Sequence, residues 1–233
     1  MSSSNEILFL MNLNGESRWT KIGYEKIWIH LFWKYFTDGK YVGELKNARF
    51  HGSGTEIYPN GDMYVGELKN GKRHGTGKIN YHEGDHYEGE WKEGQFHGQG
   101  TLTTHEGDKY VGGWKEGQFH GQGTSTSTDE NNYIGEWKDG EYHGQGTLTT
   151  SEGDMYEGEF REGKRNGQGT LTSSEGEIFL GEWKDGNLHG QGSRTKPDGF
   201  ICEGEFKNGN PHGQGTMTLP DGVKYVGEFK DFE

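Results

Sequence analysis

Aromatic and polar residues alternate along this chain in a pattern that repeats every 23 residues. From position 41 onward, an aromatic residue begins each period and a glycine follows two positions later. The aromatic positions are Tyr41, Tyr64, Tyr87, Tyr110, Tyr133, Tyr156, Phe179 and Tyr225, with Cys202 as the exception. A fixed period of this length is typical of one supersecondary unit that stacks on copies of itself. We therefore expect a repeat array whose function lies on a repeated surface.

Each 23-residue unit is predicted to be a β-hairpin. In the unit that starts at Tyr87, residues 87–92 form a first strand, residues 93–98 a turn, residues 100–104 a second strand and residues 105–108 a link. Aromatic residues and threonine favour strands, and short segments that contain glycine favour tight reversals. The predicted fold class is all-β: an elongated, single-layer antiparallel meander of hairpins.

Alternation along the first strand places its side chains on two faces. Tyr87 and Trp91 share one face across Gly89, whereas Glu90 lies on the other. Because glycine has no side chain, the rings can lean over bare backbone and form a thin core. The aromatic face also predicts a groove for a partner, formed by Tyr64, Tyr87, Trp91, Tyr110, Trp114, Tyr133, Trp137, Tyr156, Phe160, Phe179 and Trp183.

The composition of the chain is polar and acidic. With 27% hydrophobic residues and a net charge of −13, the chain would be classed as disordered, but its 43 glycines lie in register with the repeat. Residues 41–233 contain 19 Lys plus Arg and 33 Asp plus Glu. This acidic balance opposes binding to nucleic acid and to anionic bilayers.

The single cysteine and the hydropathy pattern bear on location. Cys202 excludes an internal disulfide framework and favours a reducing compartment. No window of about 18 apolar residues predicts a membrane span. We expect a cytoplasmic protein, with a peripheral position at a membrane or the cytoskeleton as the further expectation.

Seven histidines occupy one position of the repeat: His51, His74, His97, His120, His143, His189 and His212. Equivalent positions in adjacent units stand about 10 Å apart, whereas metal ligands lie about 2 Å from the ion. The histidines are therefore predicted to have a structural role in the turns. The Glu-Gly-Asp links at 83–85, 106–108 and 152–154 lack the spacing of a calcium loop and are interpreted as solvated turn carboxylates.

No set of nucleophile, base and acid stands apart from the repeat. Serines and threonines fall on strand positions, and Cys202 replaces a core aromatic residue. Residues 71–78 have Lys72 where a phosphate-binding loop requires its first glycine. The sequence therefore predicts no enzyme, no cofactor and no metal.

The first forty residues differ from the array at 41–233. A helical reading of residues 22–36 places Trp28 and Phe32 on one stripe, beside Trp33. Three interpretations stay open: a cap over the first unit, a membrane-interface anchor through Trp28, Phe32 and Trp33, or a partner-binding helix.

The other end of the array predicts self-association. Residues 225–229 form the first strand of a ninth unit, and Tyr225, Phe229 and Phe232 lie beside its edge. An edge strand exposes unpaired backbone donors and acceptors, so the same edge of a second copy could pair with it about a two-fold axis. We therefore expect a homo-oligomer.

The segment Tyr-Glu-Gly-Glu-Trp-Lys-Glu-Gly-Gln-Phe-His-Gly-Gln-Gly-Thr at 87–101 resembles the MORN (membrane occupation and recognition nexus) repeat. Eight full copies cover residues 41–224. Departures from the pattern are Leu45, Leu68, Glu130, Asn166 and Cys202. The resemblance implies a non-catalytic scaffold that binds protein partners or itself near a membrane or the cytoskeleton. It also implies two alternatives: a phospholipid-associated module, or a regulatory region related to those of phosphatidylinositol-phosphate kinases or a histone lysine methyltransferase, without the catalytic domain.

Overall fold

The computed structural model describes residues 8–13, 16–21 and 39–230 of the 233-residue chain. Every regular element within these ranges is a β-strand. Contacts divide the chain into two compact units, Met1–Gln95 and Phe96–Glu233, and each is described by itself. The predicted limit between residues 40 and 41 lies beside Lys40, the first residue of a strand, and as a domain boundary it stays a prediction.

The first unit contains one separate hairpin and a longer meander. Strand β1 (Leu8–Leu13) pairs antiparallel with β2 (Glu16–Lys21). The meander consists of β3 (Lys40–Lys46), β4 (Arg49–Ile57), β5 (Met63–Lys69), β6 (Lys72–Asn80) and β7 (His86–Lys92). Each of these five strands pairs antiparallel with the next in sequence.

The second unit continues the same pattern. Its strands are β8 (Gln95–Thr103), β9 (Lys109–Lys115), β10 (Gln118–Thr126), β11 (Asn132–Lys138), β12 (Glu141–Thr149), β13 (Met155–Arg161), β14 (Lys164–Thr172), β15 (Ile178–Lys184), β16 (Asn187–Thr195), β17 (Ile201–Lys207), β18 (Asn210–Thr218) and β19 (Lys224–Phe229). Each pairs antiparallel with the next. The predicted all-β meander of 23-residue hairpins is confirmed within each unit.

Each hairpin reverses over two residues. Between β11 and β12, Asp139 and Gly140 have φ angles of 51° and 88°, as a type I′ turn requires. The predicted turn at residues 93–98 was therefore too long, because β8 already begins at Gln95. The His-Gly-Gln segment is a β-bulge inside the strand, and a bulge glycine gives the same sequence signal as a turn glycine.

Glutamate side chains support these bulges. In β12 the bulge glycine Gly144 has a φ of 55°, and the backbone N–H of Gln145 donates to Glu136 Oε1 at 3.2 Å. The equivalent bond joins Gln168 N–H to Glu159 Oε1 at 3.1 Å. The regular glutamate row thus satisfies backbone donors that the bulge removes from the ladder.

A row of glycines crosses the strands beneath the tyrosine rings. Gly135 pairs with Gly146, and Gly146 pairs with Gly158 on the next strand. A Cβ atom added to Gly146 would lie 2.6 Å from Tyr133 Cε2, so the ring requires glycine there. The Tyr133 hydroxyl donates to the carbonyl oxygen of Glu136 at 2.8 Å. A single layer can therefore bury a large ring against its own backbone.

Candidate functional site

The aromatic face forms a continuous packed layer within the second unit. The Trp137 ring contacts Tyr133 of its own repeat and Tyr110 of the preceding one edge to face, with ring centroids 5.1 and 5.3 Å apart. Its Nε1–H donates to the carbonyl oxygen of Gly123 at 3.2 Å. Such ring pairs contribute beyond simple burial, so each repeat is attached to its neighbour through this layer.

This packing leaves little ring surface exposed. Ten of the eleven predicted groove residues are at most 6% exposed: Tyr64, Tyr87, Trp91, Tyr110, Trp114, Tyr133, Trp137, Tyr156, Phe160 and Trp183. The eleventh, Phe179, is half-buried. The structure thus gives these rings the role of a core that the chain closes by itself. Binding of a partner at this face stays a prediction.

A second set of side chains covers the tyrosines. Phe119 stacks on Tyr110 with centroids 3.8 Å apart, and Arg165 takes the equivalent place over Tyr156, with its Cζ 5.5 Å from the ring centroid. Burial raises the pKa of Tyr110 and of Tyr156 to about 12. These hydroxyls stay protonated at physiological pH and act as structural donors.

The repeated histidines lie in the bulges and are half-buried. The Nδ1 atoms of His51, His74 and His120 are buried without a hydrogen-bond partner. His120 Nδ1 lies 3.7 Å from Asp139 Oδ1 in the next repeat. Among the residues that the structure describes, no group of three His, Cys, Asp or Glu side chains could hold a metal ion.

The link carboxylates connect one repeat to the next, a role that the sequence reading missed. Asp108 Oδ1 accepts the backbone N–H of Thr128 at 2.8 Å, and Asp154 Oδ1 accepts that of Ser174 at 2.9 Å. The Thr128 N–H lowers the pKa of the Asp108 carboxyl. The predicted meander already placed the links of successive repeats next to each other, but the sequence did not show that an aspartate of one link accepts a backbone N–H of the next.

Most of the exposed apolar residues in the strands lie on the face opposite the tyrosine and tryptophan rings, which we call the outer face. Val65 in the first unit is 47% exposed, and Val111, Ile134 and Leu180 in the second are 44%, 61% and 53% exposed. All four directly follow a repeat aromatic residue, so alternation turns them away from the rings. The sequence reading assigned this face to glutamate and lysine and overlooked the apolar position two residues before the glutamate.

A family model for the MORN repeat matches eight consecutive segments: residues 41–63, 64–86, 87–109, 110–131, 133–155, 156–178, 179–200 and 202–224. The chain belongs to the MORN repeat family. The resemblance inferred from the aromatic, glycine and His-Gly positions is thereby confirmed, and MORN repeats indicate a repeat-based binding or scaffold protein. No curated protein matches the chain.

Solved structures resemble this MORN array only weakly. The TCP domain of Drosophila melanogaster SAS-4, in complex with a proline-rich motif of Ana2, is 12% identical at a TM-score of 0.32, with 76% of this chain and 84% of that chain covered. The TCP10 domain of Danio rerio CPAP, in complex with a STIL peptide, is 11% identical at 0.29, with 82% and 100% covered. Virginiamycin B lyase from Staphylococcus aureus is 13% identical at 0.18, with 95% and 76% covered.

The remaining predicted contacts lie toward the two ends of the MORN chain. Tyr225 is 49% exposed and Phe229 is 4% exposed, and both line a pocket of about 390 Å³ beside β19. Phe232 lies outside the described residues, as do Trp28, Phe32 and Trp33. No helix among the described residues is long and apolar enough to span a membrane.

Proposed function

We propose that this MORN array is a non-catalytic scaffold that binds a protein partner through its outer face. The observation that carries the proposal is the contrast between the two faces. The rings of the aromatic face are packed against the chain itself, whereas Ile134 and Leu180 on the outer face are more than half exposed. Clustered exposed apolar side chains are typical of interaction surfaces.

Several titratable side chains have structural contacts in bulges, links and ring packing, as Glu136, Asp108 and Arg165 illustrate. Cys202 is buried and unpaired, which supports a reducing compartment as part of the proposal. We include a cytoplasmic position, peripheral to a membrane or the cytoskeleton, in the same proposal.

The experiment is affinity capture from a lysate of the source cells, followed by binding of each purified candidate. The bait is the full chain, compared with a double variant Ile134→Ser and Leu180→Ser. Both side chains point to solvent, so the substitutions should leave the free energy of unfolding within about 0.5 kcal/mol of that of the parent chain. We expect a partner that binds the parent chain directly and is lost with the double variant.

The control bait is Lys115→Ser, an exposed residue at the hairpin end of β9. Lys115 also lies on the outer face but is polar, so a partner that binds through the apolar side chains binds this control as it binds the parent chain. The proposal is wrong if no captured protein binds the purified chain directly, or if every direct binder is retained by the double variant.

A further inference from the structure

The outer face of the second unit has a stripe in which apolar side chains alternate with threonines, and Glu157 lies in the cross-strand row that joins Ile134 to Leu180. The apolar members of this stripe are Ile134 on β11, Met155 on β13, Ile178 and Leu180 on β15, and Ile201 on β17. Thr172 on β14 pairs with both Met155 and Ile178. Thr195 on β16 pairs with both Ile178 and Ile201. Four of these side chains are 42–61% exposed, namely Ile134, Met155, Ile178 and Leu180.

Acidic side chains border the stripe on both sides. Toward the hairpin ends, Glu159 and Glu182 follow Glu157 and Leu180 by two residues, which places them about 7 Å along the strand on the same face. Toward the links, Glu152, Glu175 and Asp198 are exposed. The bulge bonds hold the glutamate row in place, as the 3.1 Å contact from Gln168 N–H to Glu159 shows.

The backbone of the stripe offers no free edge. Strands β11 to β17 each pair with a neighbour on both sides, so an extended peptide could not add to the ladder here. Laid on an apolar surface, such a peptide would bury unpaired N–H and C=O groups, which is costly. A helix satisfies its own backbone groups and can cover an apolar stripe through one face.

We propose that this stripe binds an amphipathic α-helix of a partner protein whose apolar face is bordered by lysine or arginine on both sides. The proposal rests on the proposed function and names the partner's chemistry. A second copy of the chain fits poorly, because any arrangement that overlays the two apolar stripes also brings acidic rows together. An anionic membrane meets the same repulsion, since the chain carries a net charge of −13.

The strand spacing sets the dimensions of the helix. Six spacings of about 4.8 Å separate β11 from β17, so the stripe is about 29 Å long and matches a helix of about 19 residues. Equivalent strands of successive repeats lie about 9.6 Å apart, or six to seven helical residues at about 1.5 Å each. The partner helix should therefore carry an apolar anchor about every seventh residue.

The test uses a synthetic 20-residue helix with leucines along one face and lysines on both flanks. Two matched peptides serve as controls, one with glutamate in place of each lysine and one with the sequence scrambled. Fluorescence anisotropy with the full chain should show binding of the lysine peptide, weakened by added salt. The glutamate and scrambled peptides should bind at least about tenfold more weakly, because they lack the charge or the apolar face.

Chain variants locate the site. Ile178→Ser combined with Leu180→Ser should weaken binding of the lysine peptide about tenfold or more, because it removes two apolar contacts. The matched control is Val111→Ser, which removes an apolar side chain of similar exposure, 44%, outside the stripe. The control should bind the lysine peptide as the parent chain does, and all three chains should share one thermal midpoint.

Three results would overturn the proposal: no binding of the lysine peptide, equal binding of the glutamate peptide, or an unchanged affinity in the stripe variant. Flotation of the parent chain, but not the stripe variant, with phosphatidylserine vesicles would assign the stripe to a membrane instead. A partner protein could also need Ile134 and Leu180 without competing with the lysine peptide. That result would support the proposed function but contradict the proposal that the partner presents an amphipathic helix.

Discussion

At the scale of single residues, the tryptophans attach each repeat to the one before it. Trp137 is 6% exposed, packs between Tyr110 and Tyr133, and donates to the Gly123 carbonyl oxygen at 3.2 Å. Phe160 occupies the equivalent position one repeat later and is 3% exposed. The position therefore requires a large ring, and the indole N–H adds one hydrogen bond.

We expect Trp137→Ala to lower the free energy of unfolding by roughly 3–5 kcal/mol, because it leaves a cavity between two rings. Trp137→Phe should cost only about 1 kcal/mol, the net value of the lost hydrogen bond. Lys138→Ala, on the exposed neighbour, is the control. Denaturant melts at neutral pH measure all three variants, and equal costs for Trp137→Ala and Lys138→Ala would contradict the assignment of the faces.

A strained residue marks the link between β10 and β11. Glu130 has a φ of 64°, whereas the equivalent link residues Gly107 and Gly153 are glycines with φ of 99° and 88°. A side chain in this left-handed region costs about 1–2 kcal/mol, and glycine loses about 0.5–1 kcal/mol through the entropy of the unfolded chain. Glu130→Gly should therefore stabilise the protein by up to about 1 kcal/mol in denaturant melts. Asp129→Gly, at the neighbouring residue, should destabilise the protein by a similar amount. A higher free energy of unfolding for Asp129→Gly than for Glu130→Gly would contradict backbone strain at Glu130.

At the scale of elements, the sequence predicted the strands better than the turns. The period of the aromatic residues located every first strand, because those rings are the core. The turn at residues 93–98 was misjudged because Gly98 lies in a bulge, where it has a φ of 58°. The outer-face stripe was missed because its apolar residues share a face with glutamates, and the exposure of that face depends on which face the rings close.

Carboxylates in the links should make repeat stacking depend on pH. The Thr128 N–H lowers the pKa of Asp108, so its ionised form is favoured in the folded state. Such a group contributes stability above its unfolded pKa of about 3.9 and loses it as pH falls through the folded pKa. We expect the denaturation midpoint of the parent chain to fall more steeply below about pH 4 than that of Asp108→Asn. Asp129→Asn, in the next link, is the matched control for the loss of one carboxylate, and equal slopes in the parent chain and Asp108→Asn would exclude the Asp108 contact.

At the scale of the whole molecule, net charge opposes contact with anionic membranes. Residues 41–233 contain 19 Lys plus Arg against 33 Asp plus Glu. We expect residues 41–233 to float weakly or not at all with phosphatidylserine or phosphoinositide vesicles at physiological salt. The full chain, which includes Trp28, Phe32 and Trp33, is the comparison. Tight, salt-sensitive flotation of the array alone would contradict this expectation and favour the phospholipid-associated alternative.

We expect the strand β19 to be a surface for self-association. Within the second unit β19 pairs with β18, and most of its side chains are exposed, although Phe229 is only 4% exposed. Tyr225 is 49% exposed, whereas Tyr133 and Tyr156, at the same repeat position, are 0% and 1% exposed. Val226 is 74% exposed beside it. An isologous contact that pairs two β19 edges would cover both side chains at once.

We therefore expect the 233-residue chain to sediment as a dimer. A version that stops at Lys224 should sediment as a monomer, because it lacks the strand that pairs. A second variant, Tyr225→Ser with Val226→Lys, keeps the full length but removes the apolar cover and adds a charge at the edge. It should also sediment as a monomer. Analytical ultracentrifugation at several concentrations measures the oligomeric state of all three chains. Dimerisation through the β19 edge is excluded if the parent chain stays monomeric or if both variants remain dimers.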